Sequence, residues 1–162
     1  TSCSSDFAPA IRFTNDSANW EPVHNIEVNW NGFDIQGSGP NLNFCSGATR
    51  SHVIKDFFGP IHAKWENARG KILTKDFILK KSDLPSYKKR HKGNTYVYVT
   101  IYFNQEDATL VTSDHPRIKE IESAKAKECI KSSDQRRKRA RKAREKRLKE
   151  LGKWDYNDES VN

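Results

Sequence analysis

Ten Lys and Arg residues crowd into the fifteen positions Arg136 to Glu150 (RRKRARKAREKRLKE), against only two Glu. The segment therefore carries +8, the net charge of the whole 162-residue chain. Outside it, acids and bases cancel. A concentrated cationic segment on a neutral chain suits the capture of a polyanion or an acidic surface. The residues expected to carry that chemistry are Arg136, Arg137, Lys138, Arg139, Arg141, Lys142, Arg144, Lys146 and Arg147. RNA fits, because Arg-rich helices enter distorted RNA grooves. Sulfated glycosaminoglycan fits too, since Gln135 to Lys142 has the clustered basic spacing of heparin-binding segments. Arg136 to Arg139 also matches a nuclear import signal. The bland alternative is a solvated charged helix used for solubility or for pairing with the acidic tail.

On a regular helix Arg137, Lys138, Arg139, Arg141, Lys142, Lys146 and Lys149 cover about 200° of surface, with Ala140, Ala143, Leu148 and Leu151 mainly behind them. That apolar back lacks the Trp, Phe and dense Leu of a membrane-surface helix. A second basic patch, Lys88, Lys89, Arg90 and Lys92, falls in the polar stretch Lys80 to Asn94, which holds six Lys/Arg and one Asp. Tyr87 beside it could stack on a base. Tyr96, Tyr98 and Tyr102 form a one-sided aromatic row, which is expected to pack against a helix.

Catalytic material is thin. His62 and Glu66, at i,i+4 on an expected helix with Arg69 nearby, are the one arrangement suited to acid–base work in a metal-independent ribonuclease. There is no P-loop, Gly-x-Ser-x-Gly, His-Glu-x-x-His or Gly-x-Gly-x-x-Gly. No Cys/His cluster has zinc-ligand spacing, so neither a metal nor a cofactor is expected. The leading expectation is a non-enzymatic binding protein. The alternatives are a nucleic-acid-binding protein directed to the nucleus of a target cell, and a ribonuclease-like enzyme or degenerate relative.

Three cysteines, Cys3, Cys45 and Cys129, leave one thiol over. Cys45–Cys129 is the expected pair, because it would tie the core to the C-terminal helix. Cys3–Cys45 is the next choice, and three reduced thiols are the alternative. With the favoured pair formed, Cys3 is available for an intermolecular bond. The sequence begins at Thr1 and contains no Met, which leads to the expectation of a secreted protein whose signal peptide has been removed. The sequon Asn15-Asp-Ser17 would suit secretion. No apolar run approaches the ~18 residues of a membrane-spanning helix. The profile (small, Cys-poor, cationic) resembles that of fast-evolving secreted proteins such as pathogen effectors and the salivary proteins of blood-feeders. That resemblance is one of composition. It implies an effector or virulence factor acting on a host, and assigns no residue roles.

These groups must be positioned by a core, and the aromatic residues place it before residue 104. Residues 1–20 read as an irregular arm with a short strand at Ile11–Phe13. Ile26, Val28 and Trp30 alternate with polar residues as in a half-buried strand. Asn31-Gly32 then predicts a type I′ hairpin turn into Phe33–Gln36, with a further short strand at Leu42–Cys45. Ile54, Phe57, Phe58, Ile61 and Trp65 follow helical spacing, predicting helices at 49–58 and 60–69 ended by Gly70. Residues 71–79 and 95–103 read as strands, the second with Val97, Val99, Ile101 and Phe103 inward. Pro116 opens a helix to Leu151, with Asp114 as N-cap and Gly152 as C-cap. Its face Ile118, Ile121, Lys125 and Cys129 should be covered, and the part after Ser133 solvated. The expected architecture is α+β: one antiparallel sheet of four or five strands, two short helices and the long basic helix. Its divisions are an arm (1–20), a core domain (21–131), a basic helical extension (132–152) and an acidic flexible tail (153–162).

Overall fold

Strands form wherever apolar and polar residues alternate, and the chain has more of them than its spacing first suggests. The computed structural model describes residues 9–17, 21–35, 42, 45, 47–51, 54–87 and 97–152. Along these run β1 (Ala10–Asn15), β2 (His24–Trp30), β3 (Phe33–Asp34), β4 (Gly47–Ser51), β5 (Gly59–Glu66), β6 (Ile72–Leu79), β7 (Tyr98–Phe103), β8 (Ala108–Thr112) and the helix α1 (Ile118–Glu150). The fold is α+β, but the strands make two four-stranded sheets, ordered β4-β1-β7-β8 and β3-β2-β5-β6. Strands β1 and β7 run parallel. All other pairs are antiparallel. The chain divides into two compact units, Thr1–Ser123 and Ala124–Asn162.

Among the described residues neither expected short helix is found. Residues 47–51 form β4, paired with β1, and 59–66 form β5, lying between β2 and β6. Ile61 and Trp65 are four apart, a spacing that satisfies both a helix and a strand. Ala63 between them decides the matter. Ile61, Ala63 and Trp65 are all buried while His62 and Lys64 are exposed, the period of two that a strand requires. The break at Gly59 is equally specific. Its φ is +149°, and a Cβ there would come within 2.7 Å of the Asn31 side chain. Asn31 Nδ2 donates to the carbonyls of Asp56 and Phe58. Asn31 (φ +48°) and Gly32 (φ +89°) form the expected turn between β2 and β3. The expected strand at Leu42–Cys45 reduces, among the described residues, to a single bridge between Val23 and Leu42.

Each sheet has one apolar face, and each buries it against the other. Ile11, Phe13, Val99, Ile101 and Phe103 from one sheet join Ile26, Val28, Trp30, Ile61 and Trp65 from the other in one cluster. Val97, Val99, Ile101 and Phe103 point inward as their alternation predicts. Trp65 and Phe103 meet edge-to-face with centroids 5.2 Å apart, and Phe13 meets Phe103 at 5.9 Å. Both buried indoles keep their polar handle satisfied: Trp30 Nε1 donates to Phe57 O (2.7 Å) and Trp65 Nε1 to Asn104 O (2.9 Å).

One end of this core is closed by polar side chains. Gln105, 8% exposed, donates from Nε2 to Ser17 Oγ and Pro22 O, while its Oε1 accepts from Ala68 N. Asn15 is 1% exposed and its Nδ2 donates to Glu21 O and Leu42 O. Its amide nitrogen has both protons committed inside the protein, so the folded chain has no room for a glycan on this sequon.

Truncating Trp65 removes a large core ring and strands the Asn104 carbonyl. Trp65→Ala should therefore cost about 3–5 kcal/mol, measured as a fall in the urea midpoint of unfolding. A loss under about 1 kcal/mol would mean that this ring is not packed as described.

Candidate polyanion-binding helix

The cationic segment stands on a helix whose start is held by the sheet β4-β1-β7-β8. Tyr98 Oη donates to Glu122 Oε1. The Arg12 guanidinium lies 4.0 Å from the centroid of the Tyr98 ring and 4.0 Å from Glu122. Tyr98 thus faces the first turns of α1, and Tyr102 senses the same Glu122 charge. Tyr96, the third member of the expected row, lies outside the described residues. The entry differs from expectation at Asp114. Its carboxylate accepts from Ser86 N and Oγ (both 2.7 Å) instead of capping the helix, while His115 Nδ1 accepts from Arg117 N (3.1 Å). At the far end Gly152 adopts φ +43°, the left-handed conformation of a helix C-terminus.

Burial along α1 falls off in one direction. Half-buried residues are Ile118, Ile121, Glu122, Lys125, Cys129 and Ser132, which share one face at i,i+3 and i,i+4 spacing. Every residue from Ser133 to Gly152 is exposed. Cys45 and Cys129 are disulfide-bonded. Since Cys3 is the only other cysteine, they are bonded to each other.

All nine expected anion-binding residues, Arg136 to Arg147, therefore lie on one continuous solvent-exposed stretch of helix. The one-sided cationic face does not survive in detail. At 100° per residue, Arg136, Arg144 and Arg147 occupy the side assigned to the apolar back, so cations surround the axis. Three like-charge pairs stand at i,i+4: Arg137/Arg141, Lys138/Lys142 and Lys142/Lys146. Each costs the free helix about 0.2–0.5 kcal/mol. Lys146 Nζ lies 4.0 Å from Glu150 Oε1, a fully solvated pair of little worth. Lys88, Lys89, Arg90 and Lys92 lie outside the described residues, as do Cys3 and the acidic tail.

The candidate proton-transfer pair is separated. His62 and Glu66 sit four residues apart on a strand, which spaces them by about 13 Å instead of one helical turn. His62 Nδ1 instead meets Asp76 across β5 and β6, and Glu66 Oε2 accepts from Asn25 Nδ2 (2.8 Å). A groove of about 430 Å³ opens beside the edge strands β6 and β8, lined by Phe77, Leu110, Val111 and His115 among others. Its carboxylates are engaged within the fold: Asp83 accepts from Lys80 N, and Asp114 from Ser86. Among the described residues no helix is long and apolar enough to cross a membrane.

Two outcomes follow for the helix anchor. Burial, then the hydrogen bond to Glu122 and its charge, push the Tyr98 hydroxyl up to about 12. The folded state holds the neutral phenol, so this contribution is complete below the unfolded value near 10 and is lost as pH rises towards 12. Stability should fall across that window, and Tyr98→Phe should flatten the fall. A phenolate absorbance titration placing Tyr98 near 10 would refute the contact. Reducing the Cys45–Cys129 bond, which closes a loop of over eighty residues, should cost about 4.5 kcal/mol by chain entropy. The check is a lower urea midpoint in reductant.

No family model matches this chain, and no curated protein matches it in sequence, so the chemistry of the site rests on its own residues.

Proposed function

We propose that this is a secreted, non-enzymatic binding protein whose helical segment Arg136–Lys149 grips a polyanion or an acidic partner. One observation carries the reading: a net +8 is confined to fifteen helical residues, each of them solvent-exposed. At a rise of 1.5 Å per residue the fifteen residues Arg136–Glu150 extend about 22 Å, roughly one net charge every 3 Å. A nucleic acid duplex carries one phosphate per ~1.7 Å, so the two line densities are comparable. Binding would release condensed counterions and relieve the like-charge repulsion along the helix. Among the described residues past Ile130, the exposed large apolar side chains are Leu148 and Leu151, too few to seat the helix in a lipid interface. The Cys45–Cys129 bond supports secretion, because such bonds persist in oxidising compartments.

The test is binding of heparin and RNA to the intact protein over a salt series. With six to ten contacts engaged, affinity should drop by about 10³–10⁵ between ~50 and ~200 mM salt. Replacing the Lys and Arg residues of 136–147 by Gln should abolish it. Binding that persists unchanged at high salt, or in the Gln variant, would sink the proposal.

A further inference from the structure

Resting on that reading, the arrangement of charges around the axis narrows the polyanion, and we propose that it is B-form duplex DNA, with the segment lying in the major groove. A glycosaminoglycan chain laid along a helix touches one side of it. This helix carries cations on every side, with no angular gap wider than about 60° between neighbours. Such a distribution suits a ligand with anionic walls on both flanks. The major groove of B-DNA is about 12 Å wide and a helix is about 10–12 Å across. The deep, narrow major groove of regular, undistorted A-form RNA admits no such helix.

The sequence also orients the helix within the groove. Ala140 and Ala143 lie within about 60° of each other, with Arg136 and Arg147 between them. Two methyl side chains on one edge let the backbone approach the groove floor, where the flanking arginines meet base edges. Glu145, the one acid inside the run, points about 180° away from Arg136, out to solvent. Arg137, Arg141 and Arg144 then face one phosphate wall, and Lys142, Lys146 and Lys149 the other. From Arg136 to Lys149 the helix covers about 20 Å, or roughly six base pairs.

The two walls can be removed separately. Two triple variants of the intact protein, Arg137/Arg141/Arg144→Gln and Lys142/Lys146/Lys149→Gln, are titrated with a short DNA duplex, the same sequence as duplex RNA, and heparin. Gln keeps the helix, checked by circular dichroism. For DNA, each triple should lower the slope of log affinity against log salt by about 2–3, since each removes three phosphate contacts, and duplex RNA should bind more weakly than DNA. If one triple leaves DNA binding unchanged, the ligand lies on one face and the groove model is overturned. Heparin or RNA binding tighter than DNA overturns the choice of DNA while the polyanion reading stands. No binding to any of the three overturns both.

Discussion

Everything else in this molecule depends on two sheets pressing their apolar faces together through a few large rings. Trp65 and Phe13 both meet Phe103 edge-to-face, and Trp30 packs tilted against Phe57 at 5.3 Å. Burying a side chain of this size contributes about 1.5–3 kcal/mol against leaving it exposed, but an indole also brings an N–H that must be matched. Here both indole donors reach backbone carbonyls, of Phe57 and Asn104. Those carbonyls belong to the segment before β5 and to the residue that follows β7, so the rings fix the positions of both. The parallel β1–β7 pair sits at the centre of its sheet, and β7 is the strand that carries Tyr98. From there the contact to Glu122 places the start of α1.

The body and the helix divide the charge between them. On the sheets, cations meet acids at close range: Lys75 with Asp107 (3.1 Å), Lys64 with Glu27 (3.9 Å), Arg12 with Glu122. Such exposed pairs add little stability. Their effect is to offset those three cations locally. The densest charge of the chain is the segment Arg136–Glu150, which carries +8.

Much of this was legible in the residues. The Asn31-Gly32 turn, the inward set of β7, the strand at Ile72–Leu79 and the long helix each rest on a local signal that tertiary contacts reinforce. The helix's change from half-buried to exposed was written in its face, apolar as far as Ile121 and Cys129 and cationic later. What was not legible had no period of its own. Strand β4 (GATRS) is short and polar, and it exists because β1 offers it a partner. Strand β8 (ATLVT) similarly completes the sheet beside β7. Strand β5 was obscured by Ile61 and Trp65, whose spacing fits two periods, and with it went the His62/Glu66 pair. Asp114 has the right chemistry for a cap, yet Ser86 claims it, a long-range contact that no local pattern announces. The cationic candidates needed no tertiary information to be found, because solvent exposure is what their composition demands.

The helical state of the cationic segment has a cause outside the segment. Alone, a run of this length is marginal in water, because the first turn is costly to form and like charges oppose the rest. Its Ala, Leu, Arg, Lys and Glu residues are all good helix formers, so what it lacks is a nucleus. The turns through Glu122 and Cys129 supply one: they are fixed by the Tyr98 hydrogen bond and by the disulfide, and the helix propagates from them at one hydrogen bond per residue. The same conformation bears on Arg136–Arg139 followed by Ala140, which resembles a furin-type cleavage site. A protease that reads extended chain must first unwind this turn, and the opening is rarer the more firmly the nucleus is held. A bound polyanion would act in the same direction by removing the repulsion. The anchor would then hold this helix from its start, and the proposed polyanion would hold it along the cationic part.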